Sequence, residues 1–255
     1  RAVMSIAEMS AYTWTLIIAL PVLSVALAQF SARWKLAEAC VWTSLGLAAL
    51  EWGRLALFAG APLDGALFRA TPLTATLVLL ISFIALTVLR FVHSNFLWDK
   101  DEKRFLRWLL ATYAAVIVTV TSNHLVLLWS AWVAISLSLH QLLMFYPDRP
   151  RATLAAHKKF LFARFAETLL AGAFYLLYSV HGTLSVSGML ASFGAGPLVW
   201  QEQLAALLIA NVALVKCAQL PVHGWLIQVV ESPTPVSALL HAGVINLGGF
   251  LLLLF

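Results

Sequence analysis

Long apolar runs separated by short polar clusters organise this chain from end to end. A spanning helix needs about 20 mostly apolar residues, and by that ruler the runs predict helices at 13–30, 37–60, 72–93, 105–121, 124–146, 158–180, 203–230 and 235–255. Only Thr121, Ser122 and Asn123 separate the fourth from the fifth, which predicts an antiparallel hairpin of helices. Pro221 falls inside the seventh run, where it lacks an N–H to donate and clashes with the preceding turn. Pro233 and Pro235 then predict an extended link before the eighth. The expected fold class is an all-α polytopic membrane protein of about eight transmembrane helices, the seventh discontinuous.

Composition agrees with the pattern. The chain is 62% hydrophobic and 11% charged, with a mean hydropathy of +0.91, whereas soluble domains carry roughly 25% charged residues. Ten tryptophans and five tyrosines suit interfacial belts. Cys40 and Cys217 both fall in apolar runs and read as free thiols, with no disulfide and no metal-ligand spacing. No glycine-rich phosphate loop, Ser-His-Asp set or cysteine cluster is present, which argues against a self-contained enzyme site and against a cofactor in this chain.

The net charge of +5 is sorted by loop rather than spread. The loops after helices one, three and five hold Arg33 and Lys35; Lys100, Lys103, Arg104 and Arg107; then Arg149 and Arg151, with Lys158 and Lys159 at the start of helix six. The loops after helices two, four and six hold only Arg69. By the positive-inside rule the odd loops are cytoplasmic and the N-terminus lies outside. Topology accounts for this charge without nucleic acid, although Lys100–Arg107 and Asp148–Lys159 also qualify as docking surfaces for a cytoplasmic partner. The sequence opens on Arg1 and stops at Phe255 within an apolar run, and so reads as part of a longer polypeptide.

The stretch from Asn211 to Asn246 concentrates the chemistry. It sets Lys216, His223, Glu231 and His241 among Pro221, Pro233 and Pro235 in otherwise apolar sequence. A charge at mid-bilayer costs at least about 2.5 kcal/mol, so one that is kept marks an ion or proton pathway. A broken helix beside a buried amine is how membrane proteins build ion-handling sites. The competing reading of Lys216 is snorkelling to an interface; its depth, roughly thirteen residues into the helix, opposes that.

His223 and His241 fit a relay because histidine changes charge near neutral pH, although a lone histidine in an apolar helix also serves structure. His241 lies deeper, among small residues. Glu167 follows Arg164 at i, i+3, so the two can pair. Either they neutralise each other for insertion, or Glu167 is the counter-charge of Lys216, tuned by Arg164. Glu231 reads as an interfacial carboxylate at the end of the broken helix. Trp132, Ser136 and His140 form a mildly polar stripe at i, i+4, i+8, making His140 a further relay candidate. Glu51 and Arg54 read as a structural pair.

The blocks KCAQLPVHGWL and ESPTPVSALLHA, with SNHLVLLWSAW and AAHKKFLFARFAETLL upstream, resemble the proton-translocating antiporter-like subunits of respiratory complex I and of multisubunit Na⁺/H⁺ antiporters. The resemblance covers about residues 70–255. It implies two inverted five-helix repeats, each with a broken helix, a central lysine and a buried carboxylate. Residues 1–104 would supply three leading helices and residues 105–255 the first repeat, with the second absent from this chain. Lys216 matches the broken-helix lysine, His241 the histidine of the next helix, and Glu167 an acidic position after Arg164.

One departure stands out. The family pattern places a glutamate in helix five as partner of the lysine; here that position is Trp132, and helix five holds no carboxylate. Either Glu167 takes the part or the lysine works differently. This loss, together with LLHAGVINLGGFLLLLF, resembles the DabB-type membrane subunits of bacterial DAB inorganic-carbon accumulation complexes. That resemblance implies a bacterial inner-membrane location and a DabA-like cytoplasmic partner carrying zinc in a carbonic-anhydrase-like site. Proton or Na⁺ flow would then drive CO₂ hydration to bicarbonate in one direction. The alternatives are a complex I-like or Mrp-type cation/proton antiporter subunit, and an anchor for a partner that has lost transport.

Overall fold

In hydrocarbon each backbone N–H and C=O must be satisfied within the chain, and the apolar runs accordingly fold as helices. The computed structural model describes residues 6–30, 34–56, 62–95, 101–145, 150–193, 197–229 and 234–255. The long helices are α1 (Ile6–Phe30), α2 (Trp34–Ala56), α3 (Pro72–Asn95), α4 (Glu102–Thr121), α5 (Leu125–Leu143) and α6 (Pro150–His181). A short α7 (Val186–Ser192) leads to α8 (Trp200–Lys216), α9 (Gly224–Gln228), α10 (Thr234–Leu239), a π turn (Leu240–Val244) and α11 (Leu247–Leu254). Among the described residues five helices, α1, α3, α4, α5 and α6, are long and apolar enough to cross a membrane.

Several boundaries differ from expectation. The sixth helix begins at Pro150 rather than 158, since proline suits the first helical turn, so Arg151 becomes helical and Lys158 and Lys159 lie about two turns inside instead of at the start. The expected eighth helix is split by the π turn. A two-stranded hairpin, β1 (Leu63–Asp64) with β2 (Arg69–Ala70), and α7 were not legible from the runs. Of the basic loop residues, Arg33, Lys100 and Arg149 lie outside the described residues, as do Glu231 and Pro233.

Consecutive helices pack on one another from α1 to α6, α1 also meets α4, α6 lies along α8, α8 along α11, and α10 returns to α3. Buried hydroxyls cross the seams: Tyr113 to Ser82 at 2.9 Å and Thr112 to Ser138 at 3.0 Å. Glu51, buried at the α1–α2 contact, accepts from Ser10 Oγ (2.8 Å), Trp14 Nε1 (3.1 Å) and Arg54 Nε (2.9 Å). The Glu51–Arg54 pair thus acts structurally, as its spacing suggested.

At the hairpin end of the bundle, buried Asn123 ties three connections together. Its N–H reaches Leu67 O (2.7 Å), its Nδ2 reaches Gly65 O (2.6 Å) and Ser187 Oγ (3.0 Å), and its Oδ1 accepts from Ser187 N (2.8 Å). The β-hairpin, the α4–α5 turn and the start of α7 are held as one cap over that end.

Candidate functional site

The site is built around two helix interruptions that face each other. Helix α8 ends on Lys216 with Gln219 N donating to Leu214 O (3.0 Å) and Ala218 N to Val215 O (3.3 Å). This is the Schellman pattern, which requires a left-handed residue just past the cap. Glycine usually fills it; here Ala218 does, at φ 51°. Pro221 lies past that stop, on the surface of the turn.

Across from the stop, Ile245 N bonds Leu240 O at 3.0 Å, an i to i−5 step that makes the π turn. Such turns are frequent at functional sites. Ile245 O accepts from Cys217 Sγ at 3.4 Å, which joins the two interruptions. Gly248 permits the approach, because a Cβ there would lie 2.5 Å from Cys217 Sγ and 2.9 Å from the Ala213 carbonyl oxygen.

Between them lies a cavity of about 20 Å³, the scale of one water molecule. Trp132 and Ser136 of α5, Lys159, Phe162 and Ala166 of α6, Lys216 of α8, Trp225 of α9 and the π turn surround it. The Lys216 ammonium stands over the Trp132 ring, 4.7 Å from its centroid. Lys216 thus meets α5 through the π face of Trp132.

Glu167 is 3% exposed and pairs with Arg164 through both carboxylate oxygens, at 2.8 and 2.7 Å from Nη2. Trp129 Nε1 donates to the Glu167 carbonyl at 3.0 Å, while the Ser136 hydroxyl donates to Trp132 O at 3.4 Å. Direct pairing of Glu167 with Lys216 is not made: no carboxylate among the described residues lies within 4 Å of the ammonium. The two are near enough to feel each other's charge. The reason is local, since Arg164 sits one turn away on the same helix and takes both oxygens.

Lys159 was missed. It is 5% exposed, its Nζ has no hydrogen-bond partner, and it feels the charges of Lys216, Glu167 and Arg164. Its neighbour Lys158 disguised it as part of a basic docking stretch at the helix start. The signal was the spacing Lys159, Ala163, Ala166, Leu170, which is one face of a helix begun earlier.

His140 is half-buried near the opposite end of α5 from Asn123, its ring 5.6 Å from His157 and 4.8 Å from Phe160. Its Nδ1 is buried without a partner, and it feels the charge of Lys159. His223 immediately precedes α9 with Nδ1 buried and unpartnered. His241 does not lie inside the bundle as its small neighbours suggested: it opens the π turn's exposed side. Pro235 is buried in the first turn of α10. The structure therefore brings together Lys216, Lys159, Glu167, Arg164, Ser136 and Trp132, and keeps His140, His223 and His241 at the margins.

Residues 122–255 match the family described as NADH:quinone oxidoreductase/Mrp antiporter, transmembrane. The chain is 47% identical over 233 residues to the "Probable inorganic carbon transporter subunit DabB" of Hydrogenovibrio crunogenus, covering 88% of this chain and 44% of that protein. It is 40% identical over 205 residues to the similarly named DabB2 of Halothiobacillus neapolitanus, covering 80% and 37%. With NADH-quinone oxidoreductase subunit L of Mycobacterium tuberculosis the identity is 32% over 181 residues, covering 71% and 28%. The chain spans less than half the length of each of these relatives.

Proposed function

Starting from the fact that this chain belongs to the NADH:quinone oxidoreductase/Mrp antiporter family of membrane subunits, we propose that it conducts protons through Lys216 to energise inorganic-carbon accumulation. The observation that carries this reading is a half-buried lysine at a helix break, its ammonium over the Trp132 ring, near a fully buried second lysine and a carboxylate held on an arginine. In such a cluster one proton more or less changes every neighbour's energy, so a small opening of either helix interruption shifts where the proton rests.

In this reading the basic end of the bundle is cytoplasmic and the membrane is the bacterial inner membrane. Protons driven inward reside on Lys216, beside Lys159, and leave past the π turn and His241, with His140 on the route to the cytoplasmic end. Glu167, held by Arg164, is the fixed negative charge against which the ammonium is stabilised. The carbon chemistry belongs to a cytoplasmic DabA-like partner that carries the zinc, docked on the basic helix ends. The relation to DabB of Hydrogenovibrio crunogenus supports the carbon assignment. One charge crossing 100 mV is worth about 2.3 kcal/mol, which corresponds to a gradient of roughly fiftyfold.

The relation to complex I subunit L supports a second reading, a subunit of a complex I-like or Mrp-type cation/proton antiporter. Trp132 in place of a carboxylate counts against it. Carbonic-anhydrase-deficient bacteria expressing the complete complex separate the two. Growth in air and bicarbonate accumulation should disappear with Lys216→Ala and with an uncoupler. Full rescue by an assembled Lys216→Ala complex would sink the proposal, and no rescue by the wild type would favour the antiporter reading.

A further inference from the structure

The central site leaves a second acid–base pair unexplained. His181 ends α6 and Glu202 lies in the first turn of α8. His181 Nε2 is 3.1 Å from Glu202 Oε1, without hydrogen-bond alignment. His181 Nδ1 is 2.8 Å from Ser192 Oγ at the end of α7, and that hydroxyl also donates to Met189 O at 2.7 Å. Glu202 Oε2 accepts from Val199 N at 2.8 Å. The His181 and Glu202 side chains are 6% and 10% exposed.

The register is what links the two sites. From Glu167 to His181 along α6 is 14 residues, and from Glu202 to Lys216 along α8 is also 14. The two helices run antiparallel in contact, so both pairs lie at matching levels, about 21 Å apart along the seam. The order of acid and base is reversed between them. Between the pairs the seam is apolar: Leu170 and Leu177 of α6 and Ile209 and Ala213 of α8 are all buried. Glu202, Leu177 and Ile209 also share a cavity of about 490 Å³ at the hairpin end, and Glu202 is its one charged lining residue among those described.

We infer that His181 and Glu202 form the outer proton-exchanging mouth of the pathway, separated from Lys216 by an apolar gate of Leu170, Leu177 and Ile209. The inference rests on the proton-conduction reading of Lys216. The groups that face the pair are Ser192 and Phe193 from α7 and the backbone at Val199; no other charged side chain among the described residues does so. Histidine exchanges protons in the range met outside a cell. The apolar seam prevents a leak until α6 and α8 part.

The test uses the intact complex in proteoliposomes, with proton flux driven by a potassium diffusion potential and the external pH varied between about 5 and 8. His181→Gln and Glu202→Gln keep size and polarity; each should slow flux at least tenfold and flatten its dependence on external pH. The swap His181→Glu with Glu202→His should restore much of both. Ile209→Asn, which wets the gate, should raise the resting leak severalfold. Unchanged flux and pH profile in folded Gln variants, with Lys216→Ala inactive, would overturn the inference and leave the central site standing. A Lys216→Ala complex that still conducts would overturn the central reading instead. Loss of flux with an unaltered pH profile, unrescued by the swap, would mark the pair as a structural clasp and also overturn the inference.

Discussion

At the scale of single residues, the break in α8 is set by an alanine doing what glycine does more cheaply. The left-handed backbone at Ala218 costs about 1–2 kcal/mol for a residue with a Cβ. Ala218→Gly should therefore stabilise the folded protein by about 1 kcal/mol, read as a rise of a few degrees in thermal unfolding in detergent. A fall instead would mean that the alanine methyl contributes packing that outweighs the strain. Gly248→Ala should act in the opposite direction, because backbone at Ala213 and the Cys217 sulfur occupy the space its Cβ needs. Residues of this kind were partly legible in advance. Lys216 and Glu167 stood out as charges in apolar sequence, and Trp132 as a substitution in a family pattern. Lys159 did not, since its burial depends on where α6 begins, and a proline that starts a helix reads much like one that ends a loop.

At the scale of elements, the bundle is fastened by a few buried polar residues at helix contacts. Glu51→Ala would leave Ser10, Trp14 and Arg54 without the carboxylate that joins α1 to α2. The expected loss is about 3–5 kcal/mol, with α1 released first and detectable by proteolysis near its ends. Asn123→Ala removes the three side-chain bonds of the cap and should cost about 3 kcal/mol; an unchanged melting temperature would show that the hairpin and α7 are held by packing alone. The long helices were visible in the sequence because their signal is simple length and hydropathy. The hairpin, α7 and the π turn were not. Each is fixed by contacts far apart in sequence, such as Asn123 with Gly65 and Ser187, or Cys217 with Ile245.

At the scale of the molecule, the two ends of the bundle differ in charge and should differ in exposure. Single cysteines in a background lacking Cys40 and Cys217 test this in intact cells: a cysteine at Gly65 should react with an impermeant maleimide from outside, and one at Lys103 only after the cells are opened. The reverse pattern would invert the direction assigned to every step. The stop of α8 has a last consequence for how such a protein works. A helix gathers a partial negative charge of about half an electron at its C-terminus, and α8 terminates on Lys216 itself. Part of the counter-charge that holds the ammonium is thus made of peptide dipoles, which cannot be protonated away by acid or removed by replacing a side chain. It changes only when the last turn winds or unwinds. In the proton-conduction reading, charge movement and shape change at this point are the same event, and a partner that set the shape from outside the bilayer would set the voltage step as well.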